Sequence, residues 1–263
     1  MTFFPKKSLG QNFLIDKNIL NKIVELGNIN QHDTVIEVGP GNGALTNKIF
    51  EKEPKDLIVI EKDEMLANIL KKKFGKKINV INQDMMLTSY ENYIKNNLII
   101  FGNLPYNIST QILAKWIKND EINKFCKKLV LMFQKEVADR IIANTNSKNY
   151  GRLSIFANWK MKVEKIIDIE PGSFYPPPKV RSTLLVFIPK KNYFKLKNPK
   201  NLEHITNIFF NQRRKMIKKP LKFLFKNFEE VSKNLSIDLK SRPQNLDHLT
   251  YYKICEFYET LIY

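Results

Sequence analysis

Thr34-Val35-Ile36-Glu37-Val38-Gly39-Pro40-Gly41-Asn42-Gly43 is a β-branched apolar run that ends in three alternating glycines, and Ala44–Glu51 after it takes up helical spacing. A short run bounded in this way reads as a strand. Glycines between a strand and a helix let backbone N–H groups approach a ligand closely. The spacing is G-x-G-x-G, one residue shorter than the G-x-G-x-x-G of dinucleotide enzymes, which weighs against a nicotinamide cofactor. Working outward, a helix is expected before it at Asn18–Leu26. Strands are expected after it at Leu57–Ile60, Ile78–Asn82, Leu98–Phe101 and Leu129–Phe133, alternating with helices at Glu64–Phe74, Thr110–Ile117 and Glu136–Ala143. This rhythm predicts a Rossmann-like α/β fold, a mainly parallel sheet covered by helices on both faces. A further strand pair, Val163–Ile169 and Ser182–Ile188, brackets the proline-rich stretch Pro171 to Pro178. From about Pro189 the pattern is helical only: Leu202–Arg213, Ile217–Phe225, Phe228–Leu235 and His248–Ile262, with Pro220 placed to interrupt a helix. The expected organisation is therefore a domain over residues 1–189, opened by a basic arm at 1–17, and a small helical domain over 190–263.

Composition narrows the function. With 263 residues and 43% hydrophobic content the chain can bury a full core. No apolar run is long enough to span a membrane and the N-terminus lacks the pattern of a secretory signal. Cys126 and Cys255 have no metal-type spacing, so a reduced cytoplasmic protein is expected. The formal net charge is +18, and residues 181–263 alone carry 17 Lys+Arg against 7 Asp+Glu. Part of the lysine excess accompanies abundant Asn and Ile, as codon bias would produce. Its concentration in the C-terminal part favours a polyanion, nucleic acid before membrane surface.

Ligands of open α/β sheets bind outside the carboxyl ends of the strands. Glu61 ends the second expected strand, 22 residues after Gly39, where an acidic residue commonly takes ribose hydroxyls. Asp84 lies just past the third, where a carboxylate can take the amino group of an adenine. Each alone also fits a surface or capping role. Together with the glycine loop they describe an S-adenosylmethionine pocket. Asn103-Leu104-Pro105-Tyr106 follows the fourth apolar run. The alternative for these four is a plain strand-end turn, yet they suit methylation of a base amine. Such an amine is a poor nucleophile because its lone pair is delocalised into the ring. Acceptors on both its hydrogens, the Asn103 side chain and the Leu104 carbonyl, would pull the nitrogen toward a tetrahedral shape. Pro105 stiffens the turn, and Tyr106 offers a face for an extruded base. Phe174 reads either as part of a stiff connector or as a second aromatic wall. Lys179, Arg181 and the cluster Arg213-Arg214-Lys215 suit phosphate contacts or, alternatively, a solvated surface. His32, His204 and His248 show no triad or metal pattern, and Ser109 and Thr110 read as helix caps.

Six stretches occur in an order that identifies a family: Ser8-Leu9-Gly10-Gln11-Asn12-Phe13-Leu14, Glu37-Val38-Gly39-Pro40-Gly41, Gly102-Asn103-Leu104-Pro105-Tyr106-Asn107-Ile108-Ser109-Thr110, Pro176-Pro177-Pro178-Lys179-Val180-Arg181-Ser182, Phe210-Asn211-Gln212-Arg213-Arg214-Lys215 and Arg242-Pro243-Gln244-Asn245-Leu246. With them the chain resembles, over nearly its whole length, the KsgA family of small-subunit rRNA adenine dimethyltransferases. The resemblance implies a class I S-adenosylmethionine-dependent methyltransferase domain with a small C-terminal α-helical domain. It implies methyl transfer to the exocyclic amines of two adjacent adenosines near the 3′ end of 16S rRNA, in immature small ribosomal subunits, by a monomer. It further implies that Gln11, Asn12 and Leu14 fold over the cofactor, that Gly39 and Gly41 approach it, and that Glu61 takes the ribose and Asp84 the adenine. Asn103 would span cofactor and target amine, with Tyr106 and Phe174 holding the base. The sulfonium methyl is already activated, so positioning suffices, without a covalent intermediate or metal. The readings set against this one are an Erm-type enzyme of the large subunit, a DNA adenine methyltransferase and a non-enzymatic assembly factor of the same fold.

Overall fold

The computed structural model describes residues 5–6, 10–88 and 97–262. Most of the N-terminal arm before Gly10, including Ser8 and Leu9 of the first family stretch, lies outside the described residues. The chain divides into two compact units, Met1–Ala138 with Lys162–Pro189, and Asp139–Met161 with Lys190–Tyr263. One division falls at 189/190; the second unit also takes Asp139–Met161, which the sequence reading leaves in the first.

The first unit runs β1 (Phe13–Leu14), α1 (Lys17–Gly27), β2 (Thr34–Val38), α2 (Ala44–Phe50), β3 (Asp56–Glu61), α3 (Glu64–Phe74), β4 (Asn79–Asn82), β5 (Leu98–Asn103), α4 (Ser109–Lys118), α5 (Ile122–Phe125), β6 (Cys126–Gln134), the first turn of α6 (Lys135–Ile141), whose last residues from Asp139 count with the second unit, then β7 (Met161–Ile169), β8 (Phe174–Tyr175) and β9 (Ser182–Pro189). Seven strands form one sheet in the order β4-β3-β2-β5-β6-β9-β7. The pairs among β4, β3, β2, β5 and β6 are parallel, and β9 lies antiparallel to β6. The central strands are buried through neighbouring residues on opposite faces. Val35 and Ile36, and all of Leu98–Phe101, are at most 1% exposed. That is why they read as unbroken apolar runs and why both faces need cover. Side chains from α1, α2 and α3 (Leu20, Ile23, Val24, Ile49, Leu70) pack with Val35, Val59 and Ile99 in one core. The remaining two strands form a two-residue ladder, in which Phe13 pairs with Tyr175 and Leu14 with Phe174.

Register decides where a site can form. Val38 lies beside Ile60 on one neighbour and Gly102 on the other, while Glu61 pairs with Asn82. The carboxyl ends of β2, β3, β4 and β5 therefore open on one edge, and the chain order reverses on either side of β2. A crevice at such a switch point is where sheets of this kind bind ligands.

The second unit contains α7 (Arg152–Lys160), α8 (Pro199–Phe210), α9 (Lys218–Leu224), α10 (Phe228–Asn234) and α11 (His248–Ile262). Helix α8 packs on α7 and α11 around fully buried Leu202, Ile205, Phe209 and Tyr251. The Tyr251 hydroxyl donates to the Pro243 carbonyl at 2.7 Å, and that of Tyr252 to the Ile155 carbonyl at 2.8 Å. Buried Glu259 accepts from the backbone N–H groups of Lys197 and Asn198. Two expectations change here. The helix expected to reach Arg213 ends at Phe210, and Asn211–Lys215 form a turn closed by Lys215 N–H donating to the Gln212 carbonyl. Gln-Arg-Arg-Lys offers no apolar side chain to hold another turn on the core. Pro220 does not interrupt a helix either: it occupies the first turn of α9, where its missing N–H costs nothing. Among the described residues no helix is long and apolar enough to cross a membrane. Cys126 and Cys255 are free and buried.

Candidate active site

A cavity of about 350 Å³ opens at the carboxyl ends of β2–β5. Its walls include Gln11, Asn12, Leu14, Gly39, Gly41, Glu61, Asp84, Asn103, Leu104, Pro105 and Tyr106, eleven of the sequence-predicted residues from five separate stretches of chain. The floor is the glycine loop. Gly41 has φ +58°, and a Cβ there would meet the Phe13 ring at 2.6 Å. Only glycine allows this turn with Phe13 lying across it. Gly102 is constrained likewise, since a Cβ would stand 2.7 Å from the Leu104 side chain, which folds back and is 1% exposed. That burial fixes the backbone of the Asn103–Pro105 turn.

Glu61 is the best-held acid of the cavity. Its two oxygens accept the Gly41 N–H at 3.1 Å and the Asp63 N–H at 2.9 Å. Burial raises its carboxyl above the usual range, against the pull of those two donors. Asp84 accepts from the Lys62 ammonium at 2.9 Å and from the Met86 N–H at 2.8 Å, and these hold its carboxyl low. A carboxylate has about four lone-pair sites, so both retain acceptor capacity for hydroxyl or amino groups. Glu37, behind the loop, is pushed up to about 8 by burial, although the Thr46 hydroxyl donates to it at 2.7 Å.

The Asn103 amide nitrogen donates to the Asn12 carbonyl at 2.8 Å. A carbonyl can only accept, so this contact fixes the amide and reserves its oxygen as an acceptor beside the Leu104 carbonyl. Tyr106 is half-buried, and its hydroxyl shares a hydrogen bond with Ser182, which steadies the ring; burial raises its pKa. Ser109 does not cap α4 from outside. Its hydroxyl donates to the Tyr106 carbonyl at 3.2 Å.

Phe174 does not supply a second wall in this structure. It is 2% exposed and packs in the sheet core opposite Leu14 on the β1–β8 ladder, because the ladder turns its ring inward and leaves Tyr175 outward at 56% exposure. Lys179 and Arg181 are exposed and do not line the cavity; Arg181 pairs with Glu170 at 2.9 Å. Arg213, Arg214 and Lys215 belong to the second unit. Arg213 spends two of its donors internally, on the Gln244 side chain and the Ser147 carbonyl, both at 3.1 Å. Sequence reasoning missed Asp63. It accepts from the Met65 N–H as the cap of α3, from the Gln11 amide at 3.1 Å and from the Lys6 ammonium at 2.9 Å. Burial alone would raise its carboxyl, but these donors hold it low. A cap-type Asp two residues past a site acid was the available signal.

Over residues 3–260 the chain matches the family described as Ribosomal RNA adenine dimethylase. It is 56% identical over 256 residues to the Ribosomal RNA small subunit methyltransferase A of Pelagibacter ubique (strain HTCC1062), with 97% of each chain covered. It is 41% identical over 246 residues to the protein of that name from Wolbachia sp. subsp. Drosophila simulans (strain wRi), covering 92% of this chain and 89% of the other. Among solved structures it is similar to a dimethyladenosine transferase from Plasmodium falciparum, with 28% identity, a TM-score of 0.77, and 92% and 95% coverage. The 23S rRNA methyltransferase ErmE, at 20% identity, a TM-score of 0.68, and 92% and 98% coverage, shares the fold.

Proposed function

Since the chain belongs to the ribosomal RNA adenine dimethylase family, we propose that it transfers methyl groups from S-adenosylmethionine to the exocyclic amines of two adjacent adenosines near the 3′ end of 16S rRNA. The substrate is the rRNA of the immature small ribosomal subunit, and the setting is the cytoplasm. Support for the small subunit over the large comes from the relatives that carry the small-subunit name at 56% and 41% identity.

The residues of the cavity fit the cofactor. Buried Glu61, with one backbone N–H on each oxygen, suits ribose hydroxyls, and Asp84 suits an adenine amino group. When bound, S-adenosylmethionine supplies an activated sulfonium methyl. The chain's own part is positioning. The single observation that carries the reading is the Asn103 amide, turned by the Asn12 carbonyl so that its oxygen stays available. The Asn103 oxygen and the Leu104 carbonyl accept the two hydrogens of the base amine and leave its lone pair directed at the methyl group. Tyr106 supports the base by its ring face. After transfer the amine's proton leaves to solvent. Asn12 follows Gln11, whose amide donates to Asp63, so one stretch of chain is tied to Asp63 and orients Asn103.

The test is labelled methyl transfer to unmethylated small subunits, with large subunits and duplex DNA in parallel. Label at two adjacent adenosines of 16S rRNA is expected. Label confined to large subunits would defeat the assignment, and binding without label would reduce the protein to an assembly factor.

A further inference from the structure

Asp84 is held by two lysines, and they do not weigh equally. On the outer side the Lys62 ammonium donates to its carboxylate at 2.9 Å, but the Lys62 side chain is 59% exposed, and an ion pair so placed is screened and contributes little. On the inner side the contact is with the backbone of the turn that Asp84 opens. The Lys115 ammonium, from α4, donates to the carbonyls of Met85, Met86 and Thr88 at 3.0, 3.1 and 2.7 Å, in part-buried surroundings. Three carbonyl oxygens of one turn thus converge on one ammonium, which has three N–H bonds to give. Charge-assisted bonds away from bulk water are the stronger kind. The turn's own donors point inward. The Leu87 and Thr88 N–H groups and the Thr88 hydroxyl donate to the Asp84 carbonyl at 2.9, 3.0 and 2.8 Å, and the Met86 N–H donates to the Asp84 carboxylate at 2.8 Å. Its remaining carbonyls face the other way, and Met85 and Thr88 are buried, so removing Lys115 would leave acceptors without a donor where water is scarce.

We propose that Lys115 is a positioning residue for cofactor recognition: by gathering the Met85, Met86 and Thr88 carbonyls it fixes where the Asp84 carboxylate stands, and with it the preference of the cavity for an adenine base. This rests on the reading of the cavity as an S-adenosylmethionine site. Asp84 and Met86 belong to the cavity walls and Lys115 does not, so it acts through the turn. Its helix is the one that follows Asn103–Tyr106, and at the first residue of that helix the Ser109 hydroxyl donates to the Tyr106 carbonyl at 3.2 Å. Helix α4 therefore braces two turns at once, the one that would take the cofactor's base and the one that would take the target base. Selectivity follows from the count of donors and acceptors. An ionised carboxylate only accepts, so it takes an adenine amino group and repels a hypoxanthine carbonyl, provided that it is held in place. A turn free to shift would relieve that repulsion and lose the discrimination.

The experiment compares the full-length wild type with Lys115→Met, the milder Lys115→Gln, and Lys115→Cys before and after aminoethylation, which rebuilds a side chain of lysine length ending in an ammonium. Cys126 and Cys255 are buried, and wild type carried through the same treatment controls for them. In ligand-free protein, hydrogen exchange at the Leu87 and Thr88 amides should quicken by about tenfold or more in Lys115→Met. By calorimetry, affinity for S-adenosylmethionine should fall by about tenfold, and affinity for the analogue with hypoxanthine in place of adenine by much less, so that the preference narrows. In methyl transfer the KM for cofactor should rise, with kcat at saturation within about twofold of wild type. Aminoethylation of Lys115→Cys should restore exchange and preference together. If Lys115→Met loses its cooperative melt, Lys115→Gln carries the same comparison with smaller effects in the same direction. Unchanged exchange overturns the proposal, because Lys115 would not be holding the turn. An equal loss of affinity for the two compounds overturns it as well, because the damage would be general. A wild type that binds neither compound defeats the S-adenosylmethionine reading and this proposal with it, whereas exchange, read without ligand, fails on Lys115 alone.

Discussion

The cavity of the first unit is lined by acids and that of the second by bases, within one strongly basic chain. At the first, Glu61 and Asp84 sit among backbone N–H donors and a lysine, and Glu37 stands behind them. At the second, three arginines line the wall, and the recorded partners of two of them, Arg152 and Arg213, are neutral oxygens. Net charge therefore says little about either site; the partners left to each charged group say much more. Acids that already hold backbone donors remain able to take hydroxyl and amino hydrogens, which suits a nucleoside with a cationic sulfur. Arginines without carboxylates remain able to take phosphate.

The largest effect that could break this contrast is at Asn103. Asn103→Ala should lower the single-turnover rate of methyl transfer by at least about 100-fold, the scale on which lost positioning is felt. Small-subunit binding should stay near wild type, because the cationic contacts are elsewhere. A variant that lost binding in step with rate would show that the two cavities do not divide the work. Next comes Glu61→Gln, which keeps the shape and removes the charge. Its affinity for S-adenosylmethionine should fall by about tenfold or more, the worth of a charge-assisted hydrogen bond, as read by calorimetry; unchanged affinity would remove Glu61 from the ribose site. Asp63→Asn is the gentler change. It preserves the α3 cap and weakens the hold on Lys6, so the KM for cofactor should rise only a few-fold with kcat nearly constant. A fall in kcat alone would place Asp63 in the chemistry instead of in the hold on Lys6 and Gln11.

Legibility in the sequence followed the length scale of the interactions. Strands β2, β3 and β5 were readable because burial on both faces leaves apolar runs, and strand-end logic then located Gly39, Glu61, Asp84 and Asn103. Helix α7 was missed because it has no polar face to mark its period. Ser154, Ile155, Phe156, Ala157, Trp159 and Lys160 are all buried. A two-residue ladder such as β1–β8 is too short for any periodicity, and it is this ladder that turns Phe174 into the core. The cavity arginines were hidden for another reason. Arg140, Arg152 and Arg213 are spread over 74 residues and meet only through the packing of the second unit. In the visible cluster, Arg213-Arg214-Lys215, Arg213 itself acts as a brace.

Glu37 offers the finest discrimination, because it asks how acidic the acidic cavity is. Fully buried, its carboxyl is pushed up to about 8, with the Thr46 hydroxyl and the neighbouring Glu61 charge acting against each other as smaller influences. At neutral pH it is then mostly protonated, and the working negative charge of the site belongs to Glu61 and Asp84. The sign of the linkage follows. A carboxyl with a higher pKa folded than unfolded makes the native state the better proton binder, so its stability contribution is complete below about 4.5 and is lost as pH rises through about 8. Within that window the loss approaches about 1.4 kcal/mol per pH unit at its steepest. Glu37→Gln imitates the protonated side chain and abolishes the titration. Chemical denaturation from pH 5 to 9 should therefore show the variant gaining on the wild type as pH increases, with methyl transfer at pH 7 little changed. Parallel stability curves would mean that Glu37 is ionised throughout, and the first cavity would then carry its negative charge on Glu37 as well as on Glu61 and Asp84.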